Sequence, residues 1–256
     1  MVRLSIYNEK GGVGKKTITA MLASYLSYVH GKSVCVLDFD YPSYHFMELR
    51  QSELRIAENP KSPLAIWLRN NPSQGNPFNI VRFPISDGGV YRPGEVFLHL
   101  RRILSAGHDY VFFDFPGRFA PGEPVSFLAA NGFLDFVAIP MDTDSQSRRS
   151  ALVVADAIQK AGIPLTLFWN RVSLYEAKGN GGRFRRGAEP FLSRGMDVMQ
   201  ESVRDIRIIS RDPSELAFVR STLCFPERYV NMRSESIVPF LEAIKRRIDN
   251  VQHTAL

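Results

Sequence analysis

Short runs that are apolar at nearly every position alternate along this chain with longer segments whose apolar residues recur every three or four places. The runs are "RLSIYN", "KSVCVLDFD", "YVFFDF", "FVAIPM" and "LTLFWN", each of strand length and rich in β-branched and aromatic residues. Between the first two, residues 16 to 29 place Ile18, Leu22, Leu26 and Val29 on one helical stripe. Helices are also predicted over residues 44–55, from Pro93 through Val96, Leu98, Leu100, Ile103 and Leu104, over 122–131 and over 146–161. Strands apolar on both faces, separated by amphipathic helices, predict an α/β fold. Its mostly parallel twisted sheet is the middle of three layers, with helices on both faces.

Elsewhere the pattern is weaker. Residues 58–92, with "ENPKSP", "NNPSQGNP" and "SDGGVYRPG", read as loops around a short helix near 64–69 and a strand at 78–83. "EAKGNGGRFRRGAEP" reads as a loop, followed by a helix near 190–201, a strand at 205–209, the turn "SRDPSE" and a last helix over 236–250. No internal repeat or linker separates two cores, so one domain over 1–256 is expected, with the loop-rich part at 58–92 and a divergent part at 175–256.

Composition adds modest constraints. At 45% hydrophobic and 23% charged residues the chain reads as an ordinary globular one. No apolar run approaches the roughly 18 to 20 residues of a membrane span, and no signal core precedes the first glycines, so the expected location is cytoplasmic. Cys35 and Cys224 lie far apart with no CxxC pair, which points to reduced core thiols. A net charge of +6 favours a polyanionic partner without identifying one.

The chemistry concentrates at "NEKGGVGKKT", residues 8 to 17, between a predicted strand and a predicted helix. That context makes a glycine loop a phosphate cradle: Gly11, Gly12, Val13 and Gly14 turn backbone N–H groups onto an anion at a helix N-terminus, and Lys15 adds a positive charge. Asp38 and Asp114 close apolar strands, and Asp40 follows Asp38 on the same face. Each alone could cap the next loop. Together they stand at the edge where open parallel sheets bind ligands.

"KGGVGK", with its lysine ahead of the glycines, resembles the deviant Walker A motif of the ParA/MinD superfamily of P-loop ATPases. "VLDFDYP", "FFDFPG", "FVAIPM" and "FWNR" are similar to the family's later motifs in the family's order, while residues 175–232 resemble it only loosely. The resemblance implies ATP or ADP as ligand with Mg2+, and a homodimer formed on ATP. It implies Lys10 as the signature lysine reaching the partner's nucleotide, Asp38 and Asp114 as metal residues, and Asp40 as the residue positioning the attacking water. It further implies Pro116 and Gly117 in a switch, Thr17 near the α-phosphate, and Asn170 at the base, with Arg171 following it in the nucleotide site. The expected function is a ParA-like switch that partitions or positions plasmid, chromosome or mobile-element DNA, with a second protein stimulating the ATPase. "GGRFRR" (Arg183, Arg185, Arg186) and the basic last helix (Lys245, Arg246) are its candidate contacts to non-specific DNA. The alternatives are a catalytically degenerate P-loop scaffold and a MinD-like membrane-associated ATPase. For the latter, Ile237, Leu241, Ile244, Ile248 and Val251 form an amphipathic stripe, although a helix packed on its own sheet accounts for that stripe more economically.

One residue departs from the pattern. Lys16 stands where a Ser or Thr hydroxyl would bind magnesium, and an ammonium has no lone pair to offer. Held about 4 Å from a divalent ion, it would be repelled by roughly 8 kcal/mol at an effective dielectric near 20. Three arrangements are open: Lys16 swings outward and the metal loses a protein ligand; its ammonium takes the metal's place near Asp38; or the site is empty and only the fold is inherited. Hydrolysis is therefore uncertain on sequence grounds.

Overall fold

The computed structural model describes residues 1–41, 43–72, 77–83, 93–116, 128–173, 181–204, 221–225 and 237–254. These fall into two compact units. One, here the carboxylate unit, comprises Met1, Lys16–Asp114 and Arg207–Arg233, and the other, the loop unit, comprises Val2–Lys15, Phe115–Ile206 and Ser234–Leu256.

The carboxylate unit contains α1 (Lys15–Ser24, its first residue shared with the loop), a π-helical turn at Tyr25–Val29, β2 (Val34–Asp38), α2 (His45–Glu58), α3 (Pro63–Asn70), β3 (Asn79–Arg82), α4 (Pro93–Leu104) and β4 (Tyr110–Asp114). β2 lies between β3 and β4 and pairs with both in parallel. Every residue of β2 and β4 is buried, which explains why both run apolar without alternation. The β2–β4 register ends with Asp38 opposite Asp114, so both predicted carboxylates stand at one level.

The loop unit contains β1 (Val2–Ile6), β5 (Phe136–Met141), α5 (Ser145–Lys160), β6 (Leu165–Val172), α6 (Gly181–Leu192), β7 (Asp197–Arg204) and α7 (Ile237–Thr254). Its strands run in the order β1, β5, β6, β7, all parallel. The expected α/β class with a parallel sheet and covering helices is therefore what the chain shows.

Two expectations fail in the C-terminal part. The expected loop at 176–190 is helical from Gly181, because Phe184, Ala188 and Phe191 repeat at helical spacing, with Phe191 fully buried and Phe184 edge-on to Trp169 at 5.2 Å. A Cβ on Gly187 would lie 2.8 Å from the Trp169 ring, so the glycine that suggested a loop instead permits close helix–strand packing. The helix expected near 190–201 ends at Leu192, and residues 197–204 form β7. Its pairing with β6 shifts register between Leu167 and Trp169, and again before Val172. Such irregularity breaks the period-2 pattern that would identify a strand. The strand expected at 205–209, the turn at "SRDPSE", Gly117 and most of the 122–131 helix lie outside the described residues.

α7 buries Ile237, Leu241, Ile244 and Ile248 completely and packs on β7 and β1, so these positions form a helix face packed on its own sheet. Among the described residues no helix is long and apolar enough to cross a membrane. Both cysteines are free and buried, and burial pushes each thiol up to about 12.

Within the carboxylate unit, residues 221–225 are held by a buried polar network. Thr222 N–H donates to both oxygens of Glu53 (2.9 and 3.1 Å), and Arg50 donates to the Thr222 carbonyl (2.8 Å) and to its hydroxyl (2.7 Å). Tyr28 O–H also donates to that carbonyl at 2.7 Å. Burial pushes the Glu53 carboxyl up to about 7, against the opposing hydrogen bonds of Thr222 and the charge of Arg50. The folded state thus holds this proton more tightly than the unfolded chain, so the associated stability is full below pH 4.5 and is lost as pH rises through about 7. Between those values wild-type unfolding free energy should fall by about 3 kcal/mol on this account. Denaturant melts across the window should show a clearly flatter profile for Glu53→Gln; an unchanged slope would assign the pH dependence to other groups.

Candidate functional site

The segment between β1 and α1 is shaped by two glycines and by partners for its carbonyl groups. Gly12 (φ 75°) and Gly14 (φ 89°) occupy the left-handed region. Lys15 Nζ donates to the Lys10 carbonyl (2.9 Å), Arg171 Nη1 to that of Gly12 (3.1 Å) and Asn170 Nδ2 to that of Val13 (2.7 Å). Asn170 and Arg171 sit near the C-terminal end of β6, and Arg171 itself has φ 59°, a strained value for a residue with a side chain. The resemblance gave Asn170 as the base contact and Arg171 as its neighbour in the nucleotide site; in this structure both donate to carbonyl groups of the loop.

Asn8, which the sequence reading passed over, is the other brace. It is buried at the end of β1, where its Nδ2 donates to the Pro140 carbonyl (2.7 Å) and its Oδ1 accepts from the Lys10 N–H (3.1 Å) and Ser150 Oγ (2.6 Å). The available signal was a polar residue following an apolar strand directly. Lys10 Nζ lies 2.5 Å from Asp144 Oδ2 and 4.0 Å from Asp142 Oδ1. Asp144 also caps α5 by accepting from the Gln146 and Ser147 N–H groups, and the Lys10 hydrogen bond, followed by that of Ser147, holds its carboxyl below the usual range.

The carboxylate unit presents the acids. Asp38 is fully buried and accepts N–H groups of Asp40 (3.2 Å), Phe46 (2.9 Å) and Met47 (3.5 Å), so it caps α2, whose preceding residue Tyr44 is left-handed at φ 43°. Burial pushes the Asp38 carboxyl up, opposed by these N–H groups and by the charge of Lys16. Asp114 is buried opposite it. Thr17 lies half-buried in the first turn of α1, and Pro116 follows β4.

Lys16 does not approach these two acids most closely; its ammonium is paired with Asp40 Oδ2. His45 Nδ1 lies 2.6 Å from both that oxygen and Lys16 Nζ. With Nδ1 bare, the ring accepts from the ammonium; with it protonated, the ring donates to the carboxylate. Burial raises the Asp40 carboxyl, but the hydrogen bond and charge of Lys16, with help from His45, outweigh it and hold the group below the ordinary range.

A magnesium ion of the kind P-loop proteins carry does not fit these side chains. The position that should supply a hydroxyl supplies a cation, and that cation is fixed on the carboxylate beside Asp38. Among the described residues, no three His, Cys, Asp or Glu side chains form a cluster able to hold a metal. The positive charge already present instead suits an anion. Lys15 and Lys16 occupy the first turn of α1, a turn with no acidic residue of its own, where the helix dipole disfavours a cation by about 0.3–1 kcal/mol. A bound phosphate would reverse that penalty.

The candidate DNA contacts lie in the loop unit. Arg185 and Arg186 are exposed on α6 and Arg246 is exposed on α7, while Lys245 pairs with Asp249 at 2.6 Å. The side chain of Arg183 lies outside the described residues.

Residues 4–249 match the model of the CobQ/CobB/MinD/ParA nucleotide binding domain. No curated protein matches the chain in sequence. Among solved structures, the chain is similar to the MinC:MinD cell division protein complex of Aquifex aeolicus (16% identity, 100% of this chain and 96% of that one, TM-score 0.61). It is also similar to an ATP complex of McdA from Cyanothece (18% identity, 99% and 95%, TM-score 0.56) and to ParA of pNOB8 (17% identity, 78% and 74%, TM-score 0.50). At these identities the likeness is one of fold.

The loop geometry makes a contrast between two neighbouring glycines. A Cβ on Gly14 would fall 2.2 Å from Asn170 Nδ2 in a left-handed backbone, whereas one on Gly11 meets nothing within 4 Å. Gly14→Ala should lose about 2 kcal/mol or more of stability in denaturant unfolding, and Gly11→Ala under about 1. Equal losses would contradict the bracing by Asn170.

Proposed function

The chain belongs to the CobQ/CobB/MinD/ParA nucleotide-binding family, and from that premise we propose that it is an ATP-binding dimer switch of the ParA kind, acting in the partition or positioning of DNA. The observation that carries the reading is the loop: two left-handed glycines and three braced carbonyls shape the backbone into an anion cradle, and two lysines open the following helix. Lys15 and the loop amides take the phosphates, and Thr17 the α-phosphate. Asn170, whose Nδ2 gives one hydrogen to the Val13 carbonyl, keeps a second N–H and its Oδ1 to offer the base.

Lys10 is the residue that couples nucleotide to partner. In the single chain it rests on Asp144 and Asp142, and transfer of its ammonium to a triphosphate on a second copy exchanges one set of negative oxygens for another. The similar Cyanothece protein is seen with ATP, which supports the same ligand here. The exposed Arg185, Arg186 and Arg246 and the net charge of +6 support a polyanion such as DNA, bound through phosphates without sequence preference. The packing of α7 on its own sheet weighs against a membrane helix, and so against the MinD-like alternative.

Sedimentation of the chain with and without ATP tests the switch. The expected result is an ATP-dependent dimer that Lys10→Ala abolishes while its ATP affinity stays within about threefold of wild type; a dimer indifferent to ATP would contradict the reading. For DNA, replacing Arg185 and Arg186 by Glu should weaken binding and shrink the slope of log affinity against log salt by about 2. An unchanged slope removes α6 from the interface.

A further inference from the structure

Three side chains meet at the start of α2 in an arrangement that the family pattern does not supply. Lys16 comes from the first turn of α1, Asp40 follows β2, and His45 opens α2. The Tyr44 N–H bonds the Asp40 carbonyl at 2.7 Å and Tyr44 itself is left-handed, so the turn closes tightly and delivers His45 onto Asp40. The result is one carboxylate oxygen, Oδ2, shared between an ammonium and an imidazole nitrogen.

A carboxylate that orients a water must offer it a free lone pair in the right direction. The oxygen of Asp40 that faces Lys16 and His45 offers its lone pairs to them. Lys16 also directly follows Lys15 in the chain, so it brings a second fixed positive charge to the end of the helix that receives phosphate. One side chain thus does two things: it supplies positive charge where a divalent ion would otherwise neutralise the phosphates, and it takes up Oδ2 of the carboxylate that the family resemblance assigns to positioning the attacking water.

We propose that Lys16 is a tethered counter-cation which, held with His45 on Asp40, lets this chain bind nucleoside triphosphate without a divalent metal and keeps that nucleotide from being hydrolysed. The inference rests on the nucleotide-binding reading above. The chain is then a switch whose state is set by nucleotide arrival and departure and by the partner it meets, with hydrolysis contributing little. His45 is a positioning residue in this scheme, acting only through Asp40 and Lys16.

Isothermal titration of the full chain with ATP, in magnesium and in excess EDTA, reads the proposal directly. Wild type should bind ATP with affinities that differ by less than about threefold between the two buffers. Lys16→Thr, which restores the hydroxyl and removes the charge, should become dependent on magnesium by tenfold or more, a difference of about 1.4 kcal/mol. It should also release phosphate at least about tenfold faster than wild type. Lys16→Met, which lacks both groups, should bind ATP more weakly in both buffers. Wild-type affinity that drops tenfold or more in EDTA overturns this inference alone and leaves nucleotide binding standing. Turnover by wild type equal to that of Lys16→Thr overturns the suppression of hydrolysis. Absence of ATP binding by wild type in both buffers overturns the parent reading and this inference with it.

Discussion

The loop between β1 and α1, with Gly12 and Gly14 left-handed, carries carbonyl groups outside any helix or strand ladder, and the hydrogen bonds around residues 8–17 satisfy them. A carbonyl left unsatisfied in a buried place, as that of Val13 would be, costs about 1–3 kcal/mol, so donors from elsewhere in the chain help the loop hold its shape. Here the donors are Lys15 for Lys10, Arg171 for Gly12 and Asn170 for Val13. Two of the three come from the end of β6, far away in sequence, so the shape of the loop depends on the packing of β6 in the loop unit. Gly14 and Asn170 are coupled by the same logic, because the amide occupies the space a Cβ would need.

The carboxylate unit resolves its charges locally. Asp38 is satisfied by backbone N–H groups at the start of α2, Asp40 by Lys16 and His45, and Glu53 by Thr222 with Arg50 nearby. These arrangements anchor α2 at its start, by capping, and along its middle, where Arg50 and Glu53 hold residues 221–225 against it. What they do not supply is a hydroxyl or an open carboxylate pair for magnesium. The family fold is retained while the chemistry at one position has changed sign, from a neutral ligand to a cation.

The fold was largely readable from the chain because fully buried parallel strands such as "VCVLD" and "FVAIPM" are apolar at every position, a pattern few other elements produce. β7 was missed because Gln200, Glu201 and Ser202 fall where its pairing with β6 shifts register, and α6 because glycines mark loops when read alone. Gly187 is explained only by the Trp169 ring against it, which no local pattern reveals. At the site, the glycines, Lys15 and the paired Asp38 and Asp114 were legible as a constellation. Asn8 and His45 were not, since their roles arise from Pro140, Ser150, Lys16 and Asp40 brought together by folding. The missing hydroxyl at Lys16 was visible at once, but its ammonium was open to an outward swing or a place near Asp38, and only folding brings it onto Asp40 beside His45.

In the proposed switch the loop receives a triphosphate while Lys16 stays on Asp40 in place of a metal. Crystals of the chain grown with a non-hydrolysable ATP analogue and manganese test it most directly, because anomalous scattering locates the ion independently of the nucleotide. The expected outcome is triphosphate density against the loop, Lys16 still paired with Asp40, and no anomalous peak beside Asp38. A manganese peak at Asp38 and Asp114 with the Lys16 side chain displaced would contradict it.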